Sequence, residues 1–236
     1  MKNKKHCTAI VLSAGQGKRM GASVQKQYIE LEGKPVIYYT IKAFQDSEII
    51  DDIVLVVGQG QISYVKEEIV DFYGFDKVHT IVEGGKERYD SVWSGLQTIE
   101  NENGYTFIHD GARLFVNEDI LQRGYKTVEE FQACVAGMPS KDTVKIVDED
   151  TFASETPKRK YVWSVQTPQI FTTSLIKEAY GMIMRGDCTG VTDDAMVVEQ
   201  TMNVPVKLFE GSYENIKITT PSDLVLAEEF VKIVLG

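Results

Sequence analysis

Hydrophobic residues in the first half of the chain come as short runs separated by longer amphipathic stretches. The run Ala9-Ile10-Val11-Leu12 has the length and unbroken apolar character of a buried strand. The same pattern predicts strands near 7–13, 52–57, 78–82 and 105–109, with helices near 35–45, 61–72, 87–100 and 117–130 between and after them. Such alternation predicts a Rossmann-like α/β fold, a mostly parallel sheet flanked by helices. The carboxyl ends of the four strands carry Ala14-Gly15, Gly58, Glu83-Gly84-Gly85 and Asp110-Gly111-Ala112-Arg113, and in an open sheet such ends line the ligand crevice. Three of these four ends hold residues suited to chemistry.

The rhythm breaks over 140–165. Thr143-Val144-Lys145-Ile146-Val147 alternates polar and apolar, Asp148-Glu149-Asp150 can turn, and a second extended piece leads to Tyr161-Val162-Trp163-Ser164-Val165. This predicts a protruding β-arm at about 140–162, inserted in a single domain spanning 1–236. Its edges need cover, most simply from the same arm of a second subunit. A last helix is expected from about 221, with Thr220 as N-cap, Pro221 at the first position and Asp223 in the capping-box place.

Composition narrows the function. The 236 residues, 43% of them hydrophobic, suffice for one well-buried α/β domain. A net charge of −10 argues against nucleic acid or an anionic membrane as partner. Cys7, Cys134 and Cys188 share no metal-like or redox spacing and read as buried or incidental thiols suited to a reducing cytoplasm. His6, His79 and His109 are equally scattered, so neither a zinc site nor a histidine-based triad is visible. The basic start leads into an apolar stretch too short for a signal peptide, and no stretch approaches transmembrane length.

The chemistry begins in the loop after the first strand, Leu12-Ser13-Ala14-Gly15-Gln16-Gly17-Lys18-Arg19-Met20, followed by Lys26-Gln27. Gly15 and Gly17 let backbone N–H groups approach an anion, and Lys18, Arg19 and Lys26 concentrate positive charge on an acidic chain. A P-loop requires G-x-x-x-x-G-K-[ST], but the fifth residue after Gly15 is Met20. A dinucleotide fingerprint needs a third small residue at that same position. The stretch instead resembles the L-x-A-G-x-G-x-R-M…K-Q signature of nucleotidyltransferases that join a nucleoside triphosphate to a sugar or polyol phosphate.

Later stretches extend the likeness: Gly84-Gly85-Lys86-Glu87-Arg88-Tyr89-Asp90-Ser91-Val92, His109-Asp110-Gly111-Ala112-Arg113, Gln166-Thr167-Pro168-Gln169, Val191-Thr192-Asp193-Asp194-Ala195, and Glu210 through Thr220. In that order they resemble the 2-C-methyl-D-erythritol 4-phosphate cytidylyltransferase family of the non-mevalonate isoprenoid pathway. The resemblance implies transfer of a cytidylyl group from CTP to methylerythritol phosphate with release of pyrophosphate, Mg²⁺ as cofactor, and a homodimer. It also implies roles. Arg19 and Lys26 face the triphosphate with Lys217, which sits in a strand-like run; Lys26 and Lys217 are candidates for stabilising the transition state, and Arg19 for holding the pyrophosphate. Ala14, Gly84, Gly85 and Ser91 match base-contacting positions, while Thr143, Arg159 and Thr192 match residues that hold the methylerythritol phosphate, Arg159 being lent to the neighbouring subunit. Asp110 closes the fourth strand, where a carboxylate can either hold substrate hydroxyls or lie near Mg²⁺, and Arg113 would add charge near the acceptor. Leu114 stands where the family form H-D-[AG]-A-R-P has proline, which puts the local turn in question.

Plainer readings stand beside these. Ser91 fits a helix surface, Gly84-Gly85 a strand-to-helix turn, Asp110 a cap or ion pair, Arg159 a solvated surface, and Thr192-Asp193 the cap of a helix running to Gln200. Other functions compete too. A ribitol 5-phosphate cytidylyltransferase would share the loop, lysines and arm, but Thr192-Asp193-Asp194-Ala195 and the uninterrupted Tyr213-Glu214-Asn215-Ile216-Lys217 favour methylerythritol phosphate. A non-catalytic nucleotide-binding regulator would not need Arg19, Lys26 and Lys217 together. A dehydrogenase-like protein would bind a nicotinamide cofactor.

Overall fold

The computed structural model describes residues 4–15 and 25–234. Gly17 and Arg19, with the rest of 16–24, lie outside the described residues. In chain order the elements are β1 (Cys7–Ser13), β2 (Glu30–Leu31), β3 (Lys34–Pro35), α1 (Val36–Asp46), β4 (Asp52–Val57), α2 (Ile62–Val65), β5 (Val78–Glu83), α3 (Arg88–Leu96), β6 (Tyr105–Asp110) and α4 (Glu118–Phe131). They continue with β7 (Ala133–Pro139), β8 (Ile146–Val147), β9 (Ala153–Glu155), β10 (Trp163–Thr172), α5 (Thr173–Ile183), α6 (Asp194–Met202), β11 (Lys207–Glu210) and α7 (Pro221–Val234). Helix α2 widens to π-helical spacing across Lys66–Asp71.

Seven strands form one sheet in the order β11-β7-β10-β6-β1-β4-β5. Only β10 runs against its neighbours, pairing antiparallel with both β6 and β7, while the other contacts are parallel. The expected mostly parallel, Rossmann-like sheet is therefore present. Its central strands β1, β4 and β6 are buried on both sides because helices cover both faces. In β1, Cys7, Ala9 and Val11 join the core with α1 and α4, whereas Ile10 joins the opposite core with α3, α5 and α6. A third cluster sets Leu31, Val36 and Tyr39 against Leu114, Phe115, Ile218 and α7.

Two features position the crevice. Strand β1 lies between β4 and β6, so the connections from β1 to β4 and from β5 to β6 leave on opposite sides. The carboxyl ends of β1, β4, β5 and β6 converge there. Strand β7 ends at Pro139 beside the start of β10 at Trp163, so the 140–162 segment leaves from the same edge of the sheet.

Several expectations shift in detail. The predicted helix at 87–100 stops at Leu96, and α3 has a capping box made by Glu87 and Asp90. The regular hairpin in the arm region is short, Ile146 pairing with Glu155 and Val147 with Ala153, and Trp163-Ser164-Val165 belongs to the main sheet. The run holding Lys217 is not a strand; it is an irregular loop held by side chains. At α7 the Asp223 carboxylate accepts from the Thr219 and Thr220 N–H groups, the second being one half of the expected capping box, while the Asp223 N–H bonds the Thr220 carbonyl. Cys7 and Cys134 are buried and all three cysteines are free thiols.

Candidate active site

A cavity of about 770 Å³ opens at the converging carboxyl ends. Its wall includes Ala14 and Gly15 after β1, Lys26, Gly84, Gly85 and Ser91 around the start of α3, Asp110 at the end of β6, and Lys217. Eight of the sequence-derived site residues thus meet in one place. Arg113 stands just behind Asp110, its Nε 3.8 Å from Oδ2. Thr143, Arg159 and Thr192 do not line the cavity and are exposed; Arg159 donates to the Lys141 carbonyl at 3.3 Å.

The nucleotide side is shaped by close backbone approach. A Cβ on Gly84 would overlap the Cβ of Ala14 and stand 2.6 Å from Ser91 Oγ. Gly84 also donates to the Val57 carbonyl at 2.8 Å, fixing the strand end before the chain turns into α3. Ser91 is not on the helix surface: it is buried, and its hydroxyl donates to the Glu87 carbonyl at 3.2 Å. Gly84-Gly85 makes the strand-to-helix turn and also forms the cavity wall, so the two readings coincide.

Asp110 is the electrostatic centre. It is 8% exposed. Its Oδ2 lies 2.8 Å from Lys217 Nζ, and its Oδ1 lies 3.4 Å from Arg88 Nε. Burial alone would raise its pKa, but Arg88, Lys217 and Arg113 outweigh that and hold it well below the usual carboxylate range.

Backbone bonds put these groups in place. The Asp110 N–H donates to Thr167 Oγ1 at 3.1 Å, and the Thr167 hydroxyl lies 3.1 Å from His109 Nδ1. His109 Nε2 is 3.0 Å from the Arg113 carbonyl, which can only accept, so Nε2 carries the proton and Nδ1 accepts from Thr167. Burial pushes the pKa of His109 down to about 4, and the ring is neutral near pH 7. Arg113 N–H donates to Asp110 O at 2.9 Å, so the turn forms with Leu114 in place, buried in the third cluster.

The loop with Lys217 is held from three directions. Gln166 donates to Ser212 O at 2.7 Å and Asn215 to Thr167 O at 2.9 Å, both where the register of β10 shifts. Arg113 Nη1 donates to Asn215 O at 2.7 Å, and Ile218 N–H to Ala112 O at 2.9 Å. Lys26 Nζ donates to the Ile218 carbonyl at 2.8 Å, which brings both lysines to one wall. Lys26 itself is set by Gln27, whose buried amide donates to Ser13 O at 2.8 Å.

Sequence reasoning missed Arg88 as a site residue. Its guanidinium grips Asp194 with two bonds of 2.8 and 2.7 Å and also faces Asp110. Both residues lie in stretches that carry the family likeness, but no spacing signals a pair separated by 106 positions. Among the described residues no group of three or more His, Cys, Asp or Glu side chains could hold a metal ion, and no helix is long and apolar enough to cross a membrane.

A parallel-sheet crevice with closely packed glycines on one wall and clustered cations around a buried carboxylate defines a nucleotidyltransferase class of site. The chain is more narrowly placed. Residues 7–233 match the family model described as IspD, 2-C-methyl-D-erythritol 4-phosphate cytidylyltransferase, and the chain belongs to that family. It is 52% identical over 226 residues to the 2-C-methyl-D-erythritol 4-phosphate cytidylyltransferase of Lachnospira eligens, covering 95% of this chain and 99% of the relative. It is 47% identical to the protein of that name from Alkaliphilus oremlandii, covering 98% of each. The crystal structure of 4-diphosphocytidyl-2C-methyl-D-erythritol synthase from Anaerococcus prevotii superposes with a TM-score of 0.85 at 32% identity, covering 98% of this chain and 97% of that one.

The Gly84 wall yields a direct prediction. Gly84→Ala is expected to lose about 1–3 kcal/mol of stability by overpacking and to weaken CTP binding at least about tenfold. Thermal unfolding and calorimetric CTP titration read the two effects; wild-type values in both would show that the wall does not depend on this close approach.

Proposed function

We infer that this chain transfers the cytidylyl group of CTP to 2-C-methyl-D-erythritol 4-phosphate, giving 4-diphosphocytidyl-2-C-methyl-D-erythritol and pyrophosphate in isoprenoid precursor biosynthesis. The observation that carries the reading is the meeting of Lys26, Lys217, Arg88 and Asp110 beside the Ala14–Gly84 wall in a chain of this family. Ribitol 5-phosphate is not favoured as acceptor, since the matching family and the relatives above are named for methylerythritol phosphate.

In the reaction an acceptor phosphate oxygen forms a bond to the α-phosphorus of CTP, and the bond to the bridging oxygen breaks, leaving with pyrophosphate. The protein's part is to align two anions and to meet the charge that grows on the leaving group. Lys26 and Lys217 are the groups we assign to that charge, and Arg19 to the pyrophosphate. Ala14, Gly84, Gly85 and Ser91 are assigned to the base, and Gly15 and Gly17 to the phosphates. The lone pairs and amine of cytosine can be read by backbone and small side chains without a charged partner.

Mg²⁺ fits this site in a restricted sense. An ionised Asp110 on the cavity wall is one hard oxygen donor, suited to an ion that takes its other ligands from substrate phosphates and water. Bound there, the ion would neutralise phosphate charge.

Thr143, Arg159 and Thr192 are assigned to the acceptor phosphate, with Arg159 serving the neighbouring subunit of a homodimer. The arm supports this: Phe152 and Tyr161 are 73% and 72% exposed on a segment that leaves from the cavity edge of the sheet. Arginine suits the task because its planar fork donates two parallel bonds to a phosphate. We treat 1–236 as one domain with this arm inserted at about 140–162. Free thiols fit a cytoplasmic location, and a net charge of −10 fits a protein without nucleic-acid or membrane partners.

Two predictions follow from these assignments. Purified protein with CTP and Mg²⁺ should release pyrophosphate much faster with methylerythritol phosphate than with ribitol 5-phosphate; the reverse order would overturn the substrate assignment. For the arm, Lys26→Ala, expected to lower kcat by on the order of 100-fold, and Arg159→Ala are prepared separately and then co-refolded. If Arg159 serves the partner's site, one site of each mixed dimer is intact. With random pairing about half the dimers are mixed, and activity should return to roughly a quarter of wild type. No recovery, with mixed dimers demonstrated, would reject a shared site.

A further inference from the structure

We propose that Arg88 and Asp194 are a positioning pair that fixes the acceptor segment against the nucleotide half of the cavity. Arg88 opens α3, three residues after Gly85, and Asp194 opens α6, two residues after Thr192. The guanidinium fork meets both carboxylate oxygens of Asp194, which is fully buried. That carboxylate also accepts from the Tyr180 hydroxyl at 2.6 Å.

The start of α6 is fixed independently of Arg88. Gln169 Oε1 accepts from the N–H groups of Asp194 and Ala195, both at 2.9 Å, and its amide donates to Asp193 Oδ2 at 3.0 Å. Asp193 caps the helix by accepting from Met196 N–H at 2.9 Å. The cap alone would hold the helix, so the buried ion pair needs another account. A buried ion pair is a weak source of stability, since well-packed apolar residues of similar volume often do as well. What it supplies here is direction: with both Nη atoms committed to Asp194, Nε is turned toward Asp110. One side chain thereby sets the distance between the central carboxylate and the chain that enters α6.

The role in acceptor binding rests on the assignment of Thr192 to the acceptor phosphate, and the test separates the two. Asp194→Asn keeps the shape and an oxygen for Tyr180 but loses the charged fork. It is expected to raise the KM for methylerythritol phosphate at least about tenfold, while the calorimetric Kd for CTP stays within about threefold. The double variant Arg88→Met with Asp194→Leu removes both charges; it is expected to melt only modestly lower, because the buried Tyr180 hydroxyl loses its acceptor, yet to keep the raised acceptor KM. A double variant that regains the wild-type acceptor KM would overturn the proposal, leaving the pair a stabilising one only. So would an Asp194→Asn protein with unchanged acceptor KM. Should Asp194→Asn fail to fold, the double variant and Arg88→Lys, which keeps charge but not the fork, give the same reading. Thr192→Ala is measured alongside. If it leaves the acceptor KM unchanged, the Thr192 assignment fails, whereas a raised KM there with an unchanged KM in Asp194→Asn overturns the pair alone.

Discussion

The site depends on one buried carboxylate kept ionised. Asp110 ends β6 at the centre of the crevice, with Arg88, Arg113 and Lys217 gathered on its two oxygens. Three cations this close together repel one another; Asp194 and the Asn215 carbonyl each hold one of them, and the attraction all three share is to Asp110. With it they form a compact positive surface on an acidic chain, the condition for binding a triphosphate and a second phosphate together. Those same cations keep Asp110 deprotonated despite its burial.

The rest of the architecture serves that arrangement. Parallel strands put four carboxyl ends side by side, and the switch between β1 and β6 opens the crevice where Asp110 emerges. Neutral His109 and Thr167 fix the backbone on either side of it without adding charge. The register shift in β10 provides the groups that hold the Lys217 loop, so the antiparallel strand also acts at the site. Lys26 reaches the same wall through the carbonyl of Ile218.

Local regularities in the chain made much of this legible. Apolar runs marked β1, β4 and β6 within a residue or so because these central strands are covered on both faces, and the edge strand β5 was marked by its shorter Ile81-Val82 run. The glycines after β1 and β5 and the carboxylate after β6 followed from knowing where such strands end. Less was legible where long-range contacts decide the outcome. The Lys217 segment reads as a strand, since its alternation is real, but its partners are the Gln166, Arg113 and Lys26 side chains and the Thr167 and Ala112 carbonyls rather than a neighbouring strand. Arg88 reads as one more polar residue on α3, and only the folded chain brings Asp194 to it. The arm residues Thr143 and Arg159 do not line the cavity, and no spacing in the sequence shows that.

The central claim is that Asp110 is an ionised carboxylate held by its cations, and its own titration tests this most directly. In protein carrying ¹³C-carboxyl aspartate, with the signal assigned by Asp110→Asn, the Asp110 resonance should keep its ionised position as pH falls through the ordinary range near about 4, shifting only when the protein unfolds. The sign is that of a depressed carboxylate, whose stabilising contribution is full above the unfolded value and lost as pH falls toward the folded one. A reversible midpoint near about 4 in the folded protein would contradict the account, because the three cations would then not be holding the charge that organises the site.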